Sequence, residues 1–170
     1  MRLPPLDRRL SVVGALELPA GMAGEAVLLL RVLLATALAA ALGWEREQAG
    51  KSAGLRTHML VGLAAALYTA LGEMAMAESE QLQPGVRADP IRIIQAVALG
   101  IGFLAGGIIS GRQPEGHVSG LTTAASIWST AAIGIAAGFG HYLLAAGATV
   151  LQLVVLHAFM RFEHRDGPGQ

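Results

Sequence analysis

The chain reads as an all-α protein, a polytopic membrane bundle of about five transmembrane helices built as two parallel-repeat helical hairpins plus a fifth helix. Three observations predict this. Of 170 residues, 54% are hydrophobic and only 14% charged, and the mean hydropathy is +0.55. That balance would leave a soluble domain coated in apolar surface. Five stretches approach the roughly 20 apolar residues that a helix needs to cross a hydrocarbon core about 30 Å thick. Finally, Gly54-Leu55-Arg56-Thr57 returns as Gly120-Leu121-Thr122-Thr123, 66 residues later, each copy leading into an apolar stretch. The same offset pairs Arg46 with Arg112 and Gly72 with Gly138, and nine of the 27 positions from 46 to 72 match. A duplicated hairpin places both copies in one orientation, with the symmetry axis along the membrane normal.

Residues 1–24 form the lead-in, expected outside the cytoplasm. Arginines stand at 2, 8 and 9, but Glu17 and Pro19 interrupt the apolar part, so a surface-lying segment is expected rather than a cleaved signal peptide. The membrane domain is expected over 25–163. Its first span, about 26–44, carries Ala35, Ala39 and Gly43; the second, about 58–77, carries Gly62, Ala66 and Ala70. Pro84, Gly85 and Pro90 mark the connection at about 78–90 as a solvated loop. The third span, about 91–110, has Gly102 and Gly106 beside Gly107 and Gly111. In the fourth, about 121–139, Thr122, Ser126, Thr130, Gly134 and Gly138 make one stripe. Only Gly138, Gly140 and His141, with little else, separate it from the fifth span at about 142–162, so a tight hairpin is expected. A short cytoplasmic tail is expected over 164–170. Small residues at four-residue spacing let helix backbones approach closely in lipid, where no hydrophobic force draws helices together. Gly43, Gly62, Gly102, Gly106, Gly134 and Gly138 are therefore the expected packing positions.

Five spans put the termini on opposite sides, and short-loop Lys/Arg counts decide which. One side would hold Arg46, Lys51, Arg56, Arg112, Arg161 and Arg165. The other has Arg87 and Arg92 near a span, diluted by Glu73, Glu78, Glu80 and Asp89, with three arginines far out on the tail. The amino terminus is expected outside and the carboxyl terminus in the cytoplasm.

Several function classes fall away on composition. Twelve basic and twelve acidic residues cancel without a basic block, so nucleic acid is not expected as a partner. No cysteine is present, which removes disulfides and thiolate chemistry. No nucleophile has a nearby base, and the Gly-rich third span signals packing rather than phosphate binding; an enzyme is not expected.

The polar residues near the helix ends are the candidates. Glu45 and Glu47 flank Arg46 at the end of the first span, where two carboxylates could gather a hydrated magnesium ion. Two apart on a helix, they do not face each other. The structural alternative is that Glu45 pairs with Arg56 or Arg112. Arg56, Thr57 and His58 open the second span, with Thr57 a reasonable N-cap for a helix starting at His58 and Thr122 or Thr123 its counterpart before the fourth. Capping leaves the preceding Gly-Leu unexplained, and the glycines are expected to let the two connections meet near the symmetry axis. Ser126 and its neighbours can bond their own helix's carbonyls. Arg31 stands inside the first span, about five residues from its outer end. It is either a functional charge, with Glu73 or Glu78 as partner, or a snorkelling side chain. His157 is expected at the cytoplasmic rim. Trp44, Tyr142 and Phe162 fit interfacial anchoring, whereas Trp128 lies deeper and is expected between helices.

The run Gly43-Trp44-Glu45-Arg46-Glu47, followed by Gly54-Leu55-Arg56-Thr57-His58, resembles the first cytoplasmic loop of the MgtC/SapB family of bacterial membrane proteins. Gly100-Ile101-Gly102-Phe103-Leu104 and Gly120-Leu121-Thr122-Thr123-Ala124-Ala125-Ser126-Ile127-Trp128 resemble its third and fourth spans. Leu104-Ala105-Gly106-Gly107 departs from the commoner Leu-Gly-Ala-Gly order, which should shift a packing contact. The resemblance implies five spans in the plasma membrane with the amino terminus outside, and a short, membrane-domain-only form without the soluble domain that longer relatives append. It further implies a role at low magnesium and in membrane energetics, with the F-type ATP synthase as a proposed target. Two functions follow as expectations: a regulator that docks on another membrane complex, or a small carrier of magnesium or another cation, oligomeric in form. No cofactor beyond Mg2+ itself is implied.

Overall fold

The computed structural model describes residues 20–82, 89–109 and 119–163. Five helices follow in order: α1 Ala20–Gln48, α2 Leu55–Leu82, α3 Ile91–Ile109, α4 Leu121–Gly138 and α5 Tyr142–Glu163. The first four are each long and apolar enough to cross a membrane, and α5 is apolar over Tyr142–Ala158. α1 starts six residues before the expected span, carrying its helix beyond the apolar stretch. α2 and α4 both begin at the leucine of the repeated phrase, so the duplication visible in the sequence is also one of helix starts.

Two turns close without long loops. At the end of α1 the Lys51 amide donates to the Arg46 carbonyl and the Gly50 amide to the Glu47 carbonyl, both at 3.0 Å. At the end of α4 the His141 amide donates to Ala136 O at 2.8 Å and the Gly140 amide to Ala137 O at 3.0 Å. Both are Schellman closures, which need a left-handed residue that glycine supplies without a Cβ penalty; φ is +65° at Gly50 and +79° at Gly140. The expected α4–α5 hairpin follows directly.

α4 lies at the centre and touches every other helix. One apolar cluster joins Val32, Ala35 and Leu42 of α1 with Ala66, Ile133, Ala137 and Ala145. A second joins Val61 and Ala65 of α2 with Val97 of α3 and Ile127, Ala131 and Ile135 of α4. The helices approach at small residues. A Cβ on Gly43 would stand 2.7 Å from Leu55 Cα, one on Gly62 2.6 Å from Ala39 Cβ, and one on Gly138 2.7 Å from Thr69 Cβ. A Cβ on Gly134 would stand 2.7 Å from the Gly62 carbonyl oxygen. These four glycines are the close-approach sites expected for a bundle in lipid.

The third span departs from that expectation. A Cβ added at Gly102 or Gly106 meets no atom within 4 Å, because α3 leans on the bundle along one edge and buries only Val97 and Ala105. Its outer face, with Leu99 79% and Phe103 88% exposed, points away from the other helices. Trp128 also corrects the reading above: it is 52% exposed. It sits on the outward-facing stripe of α4 with Leu121, Ala125 and Ala132.

Candidate functional site

Apart from hydroxyls bonded to their own helices, the polar side chains inside the bundle gather at its two ends. At one end α1 contributes Glu45 and Arg46, α2 His58, α4 Ser126 and α5 Gln152. Arg46 is 1% exposed, and a guanidinium so buried requires a charged partner. That partner is Glu45, which accepts from both Nε and Nη2 in a two-point pair. Of the two expected partners of Glu45, Arg56 is not the one it takes, being exposed, and Arg112 lies outside the described residues. The neighbour in sequence wins because its carboxylate can follow the buried guanidinium.

His58 of α2 is fully buried and packs against Gly43 of α1. Its Nδ1 lies 3.0 Å from the Gly54 carbonyl, which can only accept, so Nδ1 carries the proton. In the neutral ring Nε2 then accepts from the Ser126 hydroxyl at 2.9 Å. Gln152 Nε2 donates to both Ser126 O and Ser126 Oγ at 3.1 Å. A relay therefore runs from α5 through α4 to α2. It leaves Gln152 Oε1 buried without a partner among the described residues, an acceptor open to a donor from water or a ligand. Gln152 carried no motif and was not a candidate by sequence; a lone glutamine inside an apolar span was its only signal.

Glu47 has a different task. Its Oε2 accepts from the Leu55 amide at 2.8 Å and so caps α2, placing a negative charge at the positive helix end. Helix α2 consequently begins before Thr57, and neither Thr57 nor the exposed Thr122 nor the buried Thr123 is a cap. The two glycines of the repeat serve distinct ends. A Cβ at Gly54 would stand 2.7 Å from Glu47 Oε2, so glycine there leaves room for the capping carboxylate. Gly120 is the N-cap of α4 with φ +84° and no side-chain cap, and a Cβ there would stand 2.9 Å from Ile108 O. The two helix starts lie side by side, as the His58–Ser126 bond requires. With Glu45 on Arg46 and Glu47 on Leu55, the two carboxylates are separately engaged. No group of three or more His, Asp or Glu among the described residues is placed to hold a metal ion.

At the other end Arg31 makes three contacts. Its Nη1 lies 2.8 Å from Glu73 Oε2 and 3.1 Å from the Gly138 carbonyl, and its Nε 3.3 Å from Tyr142 Oη. Glu73, one of the two expected partners, is the one it takes. The guanidinium thereby ties α1 to α2, to the end of α4 and to the start of α5. Trp44 and Tyr142 are exposed at 59% and 46%, as anchors would be, His157 is exposed, and the Phe162 side chain is outside the described set. Between the two polar ends the buried hydroxyls bond their own helices: Thr69 to Ala65 O at 2.8 Å, Thr130 to Ser126 O at 2.7 Å and Thr149 to Ala145 O at 2.9 Å.

Comparison with known proteins agrees with this architecture. The sequence profile of the MgtC family matches residues 32–165. The YhiD protein of Escherichia coli K12 is 41% identical over 137 residues, covering 81% of this chain and 62% of that one. The SrpB protein of Synechococcus elongatus is 37% identical over 139 residues, covering 78% and 75%. The SapB protein of Bacillus subtilis is 29% identical over 143 residues, covering 84% and 61%. The chain thus spans about three-fifths of the length of the E. coli relative. No solved structure matches. The apolar helices, the residues at the two helix starts and the span of the match together mean that this chain belongs to the MgtC family, as a multi-pass bacterial membrane protein.

Proposed function

We propose that the protein is a non-enzymatic regulator of the bacterial inner membrane that acts by docking α3 against another membrane complex. The observation that carries this is the outer face of α3. Leu99 and Phe103 stand clear of the bundle, and at Gly102 and Gly107 a Cβ meets no atom within 4 Å. Glycine costs about 1 kcal/mol against alanine in a helix, and in membrane helices it is favoured where another backbone comes close. The amino terminus is outside, following the loop arginines. Magnesium limitation and membrane energetics are the setting that the family suggests, and a large complex such as an F-type ATP synthase is the kind of partner that offers helices to α3. A second copy of the chain is the competing occupant. Because the chain has no cysteine, a Phe103→Cys variant gives one addressable site. Cross-linking from it in native membranes is expected to yield an adduct larger than a dimer; a dimer alone, or the unlinked chain alone, overturns the docking reading.

A carrier of magnesium or another cation is the second reading. Two observations favour it: the buried Glu45–Arg46–His58–Ser126–Gln152 cluster, and the description of the E. coli relative YhiD, which proposes magnesium transport. The hydroxyls midway between the polar ends, bonded to their own helices, offer a cation little. Magnesium flux into proteoliposomes holding only this protein would replace the regulator with the carrier.

A further inference from the structure

We propose that the groove between α2 and α3 is a binding site for one anionic phospholipid, with an acyl chain along its floor and the phosphate on Arg92. The groove encloses about 560 Å³, within the range of small-molecule sites, about 300–1,000 Å³. It exists because Ile93 packs over Gly72 at one end, holding the helices together there, while Ala64, Ala65, Ala96 and Gly100 are too small to fill the space beyond. From Arg92 to Ile101 the groove follows nine residues of α3, about 14 Å at a rise of about 1.5 Å per residue. Half of a hydrocarbon core about 30 Å thick is about 15 Å, so the groove has the depth of one leaflet. An acyl chain of that leaflet fits it lengthwise.

Charge selects the headgroup. Arg92 lies in the first turn of α3 at the groove's mouth, exposed and without an ion pair among the described residues. The nearby Asp89 carboxylate is turned to the Ile91 amide, with Oδ1 accepting at 2.9 Å. A guanidinium at headgroup level is suited to two-point hydrogen bonding with phosphate. The groove takes in the flank of α3 that faces α2 and borders the outer face at Leu99 and Phe103, neither of which lines it. Lipid retention by the purified chain is read with no partner complex present, so its outcome is separate from that of the docking reading.

Native mass spectrometry of the detergent-purified chain tests the proposal, with phosphatidylglycerol and phosphatidylcholine of the same acyl chains as probes. Wild type is expected to retain phosphatidylglycerol about fivefold over phosphatidylcholine, the equivalent of ~1 kcal/mol for one basic residue at an anionic surface. Arg92→Gln should erase that preference while keeping residual retention of both lipids. Ala96→Phe, at an exposed position, should fill the groove and reduce retention of both, with circular dichroism and thermal unfolding verifying that each variant folds. Equal retention of the two lipids by wild type, an unchanged preference in folded Arg92→Gln, or unchanged retention in folded Ala96→Phe overturns the proposal. So does a dimer that forms only when lipid is stripped and that Ala96→Phe prevents, since a second copy would then own the groove.

Discussion

Gly134→Ala, set against Gly102→Ala, tests whether small residues hold this bundle together through backbone contact. At 134 the new Cβ would stand 2.7 Å from the Gly62 carbonyl oxygen, 2.9 Å from Ala65 Cβ and 3.2 Å from Gly62 Cα. Two of these three atoms are backbone, so no rotamer change relieves the overlap. Ordinary contact begins at 3.4 Å, so α4 must back away from α2 by up to 3.4 − 2.7 = 0.7 Å. A gap of about 0.5–1 Å forfeits a quarter to a half of the dispersion energy of each contact it opens. Overpacking of this kind costs about 1–3 kcal/mol. At Gly102 the same methyl meets nothing within 4 Å, and helix propensity alone favours alanine by up to about 1 kcal/mol. Unfolding free energy measured by SDS titration in mixed micelles should therefore fall for Gly134→Ala and hold or rise for Gly102→Ala. If the two variants fall together, or Gly134→Ala is neutral, the backbone-contact account of the α2–α4 interface is wrong.

Three further outcomes follow from the polar ends. Glu73→Gln removes the charge from a pair whose side chains are 22% and 31% exposed; partial solvent screening limits its expected cost to about 1 kcal/mol, and a double-mutant cycle with Arg31→Gln should show coupling that added salt weakens. Ser126→Ala strands His58 Nε2 and leaves Gln152 Nε2 only the Ser126 carbonyl; a loss of about 1–3 kcal/mol is expected, while Ser129→Ala, whose hydroxyl bonds only its own helix, should be near neutral. Glu47→Ala removes the cap on α2 and should cost about 1 kcal/mol, with faster hydrogen exchange at the Leu55 amide as the direct readout and Glu47→Gln keeping most of the protection.

Much of the architecture was legible because a bilayer demands long apolar helices and because glycine punctuates. The five helices, the tight turn at Gly140, and the close approaches at Gly43, Gly62, Gly134 and Gly138 all answer to local pattern, whereas the choice of Glu73 over Glu78 as the partner of Arg31 does not. The polar clusters were legible in membership but not in pairing. Glu45 and Arg46 are adjacent in sequence, where helix geometry argues against an ion pair, yet burial of Arg46 forces one. Glu47 reaches across a turn to cap α2, a contact that no spacing rule encodes. Gln152 joined the site only because α5 folds back against α4.

Gly102 and Gly106 show where pattern stops. Their spacing matches that of the packed glycines, and nothing in the chain alone distinguishes a helix packed on two sides from one leaning on a single edge. Composition and periodicity determined that this chain enters a membrane as paired helices, since they govern transfer into lipid and backbone closure, both local properties. Which charges meet, which small residues touch and which helix face is left open depend on how far apart the helices stand, and only the tertiary packing around α4 decided that.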